Sequence, residues 1–247
     1  MPKYKRDYLT NVICRIDFIN RLNFSTDQIN RLKDDISEDF PNMKDMDVSF
    51  IEVMMSPEED RTIRKKEKVY EFVREGKLVR IEPECLVFEF KQYTGFDQFR
   101  ELVKKVLNSL DLLNNSVRSK RMGLRYINQI HLDEGDPFDW SGLIVDSLVP
   151  NTIYTEDKNV LSRSLGWVDL TYDDFYVRFH YGMFNSEHPN PIARKEFVLD
   201  FDCYTKDEQD LSNVSTLLDR FHEKIKEMFE CSILDDLRQI MGVKRNV

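Results

Sequence analysis

Stretches in which apolar and polar side chains alternate recur from one end of this sequence to the other, and a period of two marks half-buried β-strands. In FYVRFHYG, Phe175, Val177, Phe179 and Tyr181 fall on one side of an extended chain, and Tyr176, Arg178 and His180 on the other. An antiparallel sheet with one face on a core and one in water reads this way. Between these stretches lie runs with helical spacing, so the chain is expected to fold as α+β, mainly antiparallel sheet with its long helices on one face.

The order of elements can be followed along the chain. Val12 to Ile19 reads as the opening strand. Ser25 and Gln28 have capping-box spacing ahead of Ile29, Leu32 and Ile36, and Pro41 closes that helix. Ser49 to Met55 reads as a strand, and the mixed-charge run Glu58 to Lys68 as a loop or an extended hairpin edge. Val69–Val73 and Leu78–Ile81 flank a turn at Glu75-Gly76, and Leu86–Phe90 is a further strand. Phe99, Leu102, Val103, Val106, Leu107 and Leu110 then line one face of a helix. The second half repeats the order: a strand over Leu124–Ile130, a short helix through Trp140, Leu143, Ile144 and Leu148 capped by Asp139, and a hairpin of Leu161–Thr171 with Phe175–Phe184. Next come a strand over Phe197–Cys203, a long helix from Val214 to Phe229, and a short helix stopped by Gly242.

Two similar β-α-β-β-β-α halves, residues 1–115 and 116–247 of one compact unit, are therefore expected. LVFEFKQYT from Leu86 and FVLDFDCYT from Phe197 carry Val, Phe, Tyr and Thr at matching places. The pairs are Val87/Val198, Phe90/Phe201, Tyr93/Tyr204 and Thr94/Thr205. If this is duplication, Tyr93 and Tyr204 occupy equivalent positions where a strand hands over to its helix. The nearest fold analogies are a TATA-binding-protein-like saddle and a helix-grip fold, and a fold carries no function with it.

Composition narrows the function classes. A formal net charge of −9 argues against wholesale binding to nucleic acid or anionic lipid. No apolar run is long enough to span a bilayer, and the N-terminus lacks the apolar core of a signal peptide, so a cytoplasmic protein is expected. Cys14, Cys85, Cys203 and Cys231 are far apart, which fits reduced thiols. His131, His180, His188 and His222 lack partners at ligand spacing, so neither a metal nor a cofactor is expected. The acids of DEGDPFD, from Asp133, lack the order of a calcium loop and fit a turn.

Four residues stand out as ligand-binding candidates: Arg178 and His180 on one strand face, and Arg125 and Asn128 in GLRYINQI. Arg178 also fits a solvated sheet face with a cross-strand partner, and Asn128 fits a side chain that pins a neighbouring backbone. Trp140 and Trp167 read as packing aromatics. Arg118, Lys120, Arg121 and Arg125 form a basic stretch, which reads either as a phosphate contact or as a helix C-terminus followed by a loop.

GLRYINQI, from Gly123, and FHEKIKEMFECSILDDLRQIMG, from Phe221, resemble segments of a sporadically distributed family of uncharacterised bacterial and archaeal proteins of about this length. The resemblance implies membership over nearly the whole chain, and carries no activity to Arg125, Tyr126 or Asn128. The expected function is a binding or interaction module for a protein or small ligand, with a homodimer among its forms. The alternatives are an enzyme whose site assembles in space from Arg178, His180, Asp200 or Asp202, and an accessory protein touching nucleic acid through Arg118 to Arg125.

Overall fold

The computed structural model describes residues 4–54, 61–113, 117–149 and 156–242. Among these residues the chain is α+β, with ten strands, mostly antiparallel, and four α-helices. It divides into two compact units. One holds Ile13–Met122 and Asp207–Ser215; the other holds Met1–Val12, Gly123–Lys206 and Thr216–Val247.

The first unit contains most of β1 (Leu9–Phe18), then α1 (Thr26–Asp35), β2 (Asn42–Met54), β3 (Arg61–Arg74), β4 (Lys77–Ile81), β5 (Cys85–Phe90) and α2 (Phe96–Ser109). Its strands lie in the order β2-β3-β4-β5-β1, so the opening strand ends up beside the last strand of the meander. The capping box forms as the spacing predicts: the Ser25 hydroxyl accepts from the Gln28 N–H, and the Gln28 side chain accepts from the Ser25 N–H. Gly76, at φ +69°, makes the β3–β4 turn. Phe72, Val79, Ile81, Leu86, Phe88 and Phe90 are buried, and Phe99 of α2 meets Phe90 edge-on with centroids 5.1 Å apart.

The strand expected from Ser49 begins earlier, at Asn42, and the mixed-charge run is strand from Arg61 onward. Residues 58–60 lie outside the described residues. The charged run has no apolar period because its pairing comes from the backbone ladder with β2, where Asp47 stands opposite Lys68.

The second unit is built on β6 (Arg118–Leu132) from Gly123 onward, β7 (Ser164–Thr171), β8 (Phe175–Met183), β9 (Lys195–Thr205), α3 (Val214–Ser232) and α4 (Asp235–Met241). Its order is β6-β9-β8-β7, again with the opening strand beside the last strand of the meander. A two-residue strand, β10 (Gln209–Asp210), pairs with the start of β6 in the first unit. On the helix side of the second unit's sheet, Phe179 stacks on Phe201 with centroids 4.4 Å apart, and Phe221 of α3 reaches Phe175 at 5.7 Å. Burying a side chain such as Phe221 contributes about 1.5–3 kcal/mol. The Tyr126 hydroxyl and His222 Nδ1, 2.8 Å apart, tie β6 to α3.

Two local expectations are corrected. The basic stretch from Arg118 is neither the end of a helix nor a loop; it is the start of β6. Trp140, Leu143 and Ile144 are buried, but they form a turn rather than a helix. Gly142 sits at φ +75°, which breaks the helical path, and Ile144 then bridges to Ile233. Their helical spacing recorded core contacts instead. Tyr93 lies past the end of β5, just before α2, whereas Tyr204 lies inside β9. Among the described residues, no helix is long and apolar enough to cross a membrane.

Candidate functional site

Alternation along β8 and β9 sends Phe175, Val177, Phe179, Phe201 and Cys203 into the core. It therefore turns Tyr176, Arg178, His180, Asp200 and Asp202 to the face away from α3. Cross-strand register arranges that face in rows. One row reads Asp169, Arg178, Asp202, Arg125 across β7, β8, β9 and β6, alternating in charge. The next reads Trp167, His180, Asp200, Ile127. Three of the four candidates, Arg125, Arg178 and His180, thus share one surface, together with Asp200 and Asp202.

Asp200 is the anchor of this surface. Its residue is only 7% exposed, although it faces away from the main core. Arg125 donates Nε to its Oδ1 at 2.7 Å and Nη2 to its Oδ2 at 2.6 Å. The bond to Asp200 raises the Arg125 pKa above its ordinary value. His180 Nδ1 stands 3.7 Å from Asp200 Oδ2, so the carboxylate lies between a fixed guanidinium and an imidazole. Arg178 donates Nε to Asp169 Oδ1 at 2.8 Å, the cross-strand partner expected of a solvated face, and that bond raises its pKa in turn.

Trp167 departs from its expected packing role, being 68% exposed beside His180. Trp140 does pack, at 1% exposure. The difference follows from topology. Among the described residues β7 ends the strand order of its unit, so a side chain on its open face has strand neighbours on one side only. A wide, rigid indole there supplies contact area at small entropic cost.

Asn128 stands apart from the other candidates. It projects to the opposite face, is buried, and donates Nδ2 to the Leu199 carbonyl at 3.2 Å. It pins the adjacent backbone. Glu196 was not singled out by pattern, yet it is buried, accepting the Ser186 N–H at 2.7 Å and the Ser186 hydroxyl at 2.8 Å, with His131 Nδ1 at 3.4 Å. The signal for it was an acid directly before the apolar run Phe197–Leu199. In the acidic loop, Asp136 accepts the Phe138 N–H and Asp139 the Ser141 N–H, each closing a turn. Of the basic stretch, Arg118 pairs with Glu208 at 3.1 Å.

The first unit carries a separate cavity of about 390 Å³, floored by Phe40, Phe90 and Phe99 and bordered by Tyr93, Lys77 and Lys105. Asp39 and Glu101 also border it, so its rim has no single sign of charge. The sheet face of the second unit is the more specific arrangement, since its charged groups are brought together by cross-strand neighbours, directly for Arg178 and Asp169 and diagonally for Arg125 and Asp200. No family model matches the chain, and no curated protein matches it.

Proposed function

We propose that the protein is a cytoplasmic binding module that engages a partner protein through the open face and outer edge of the second unit's sheet. The observation that carries this reading is Trp167: a large apolar side chain, 68% exposed, on a rigid strand, beside the His180 imidazole and the paired charges of Asp200 and Arg125. Exposed aromatics set in polar surroundings are the usual anchors of protein interfaces. A photo-cross-linking amino acid placed at position 167 in cells expressing the chain tests it. Adducts with a polypeptide are expected from that position and not from Glu223, on the exposed side of α3. No adduct, or equal adducts from both positions, rejects the reading.

A second reading, an enzyme assembled in space, is favoured by the chain of contacts Arg125–Asp200–His180, which resembles the way a carboxylate orients a catalytic imidazole. A turnover found by substrate screening and unchanged in His180→Gln would reject it. Duplication of the two halves is supported by a shared placement of the opening strand beside the last strand of a meander, in an order of five strands in one unit, β2-β3-β4-β5-β1, and of four in the other, β7-β8-β9-β6. The place of Tyr93 beyond its strand counts against full equivalence. A saddle or helix-grip relationship rests on the same strand order.

A further inference from the structure

We infer that the outer edge of β7 is the surface through which two copies of this chain pair, strand to antiparallel strand, about a two-fold axis at Gly166. The inference rests on the interaction-module reading and names the partner. Among the described residues no strand covers that edge. β7 runs in unbroken register with β8 from Ser164 to Thr171, so it has no bulge to twist the edge away. Its sequence, SLGWVDLT, has no lysine or proline, and its one charge, Asp169, is matched by Arg178 of the neighbouring strand, so little guards the edge. A regular, unguarded edge offers a second strand a full row of backbone donors and acceptors.

Side chains select the occupant and its register. Leu165 is 48% exposed and Trp167 68%, both on the open face, and Val168 is 38% exposed on the other. A two-fold axis at Gly166 pairs each residue with the one equally far on the other side. Leu165 then faces the partner's Trp167, and Trp167 faces the partner's Leu165, so both exposed apolar side chains are covered twice over. The same operation sets Arg163, just before β7 and with its Nε on the Phe184 carbonyl, opposite the partner's Asp169, which also binds its own Arg178, so each end of the ladder would gather one aspartate between two arginines. At the axis, Gly166 has no side chain; its own Tyr181 ring occupies the space where a Cβ would stand. Pairing through one strand gives a small interface, so association should be reversible and depend on concentration.

Sedimentation velocity of the full chain over a concentration series is the test. Wild type should pass from monomer to dimer as concentration rises. Asp169→Arg and Arg163→Asp should each weaken the dimer by 10-fold or more, and the doubly reversed variant should regain most of it. Register is read separately by disulfide trapping in a Cys231→Ser background. Mixing Ser164→Cys protein with Val168→Cys protein, which leaves Leu165 and Trp167 in place, should give a mixed dimer faster than either protein cross-links with itself. Circular dichroism confirms that each variant is folded, and any unfolded variant is replaced by Trp167→Ser, which should also lose the dimer. A monomer at every concentration, or a dimer indifferent to both charge reversals and to Trp167→Ser, overturns the inference. A monomer that still gives adducts with another protein from position 167 removes the self-pairing alone and leaves the module reading standing.

Discussion

Arg125 bypasses the residue directly opposite it, Asp202, and closes a two-pronged hydrogen-bonded pair with the diagonal Asp200. Asp200 is buried, as are Val198 and Glu196 before it on the same strand face, and the pair holds a carboxylate 3.7 Å from His180. The local order of the surface depends on this pair.

Removing one member should therefore cost more than an exposed ion pair usually does. The Arg125 side chain is 40% exposed, which screens the interaction, while Asp200 would be left buried without its partner. Arg125→Met is expected to destabilise the fold by about 2 kcal/mol, measured by urea denaturation. Arg125→Met/Asp200→Leu should recover most of that loss, because no unpaired charge remains.

The two tryptophans report separately. Trp140 is 1% exposed and Trp167 68%. Acrylamide should quench a red-shifted component that disappears in Trp167→Phe, leaving a blue-shifted, poorly quenched spectrum from Trp140. A partner bound at β7 should protect Trp167 and leave Trp140 unchanged.

Thiol chemistry should count one cysteine in the native chain. Cys14, Cys85 and Cys203 are buried, and Cys231 is exposed. Burial pushes the Cys14 and Cys85 thiols up to about 12 from 9.0, and raises Cys203 as well. A disulfide reagent at pH 8 is expected to modify one thiol rapidly, and all four after unfolding. Because the folded values are raised, the stability these thiols contribute is complete below pH 9.0 and is lost as pH climbs toward about 12.

Gly142→Ala should destabilise by about 1–3 kcal/mol, read as a lowered unfolding midpoint. The residue sits at φ +75°, and an added Cβ would run into the Asp236 carboxylate. Gly95→Ala tests the space at a second glycine. It meets nothing within 4 Å, so any cost there comes from its φ of +153° alone.

Elements with a strong local signature were legible in the sequence. The Ser25–Gln28 cap, the Gly76 turn, the alternation of β8 and the apolar stripe of α2 all appear where pattern placed them. Each is governed by forces acting over one or two turns of chain. Trp140, Leu143 and Ile144 misled because helical spacing and burial in a turn select the same residue types. The charged part of β3 was ambiguous because its strand character comes from a partner strand.

Alternation alone determined that Arg178 and His180 share a face, and that Asp200 and Asp202 share theirs. Only the tertiary structure decided that the two faces are one surface, since cross-strand register joins residues far apart in the chain. It also decided which tryptophan is buried. Trp140 and Trp167 are equally apolar; strand order left Trp167 at an edge that no described strand covers, and packing against Phe197 enclosed Trp140, because burial depends on what neighbours a position rather than on the residue placed there.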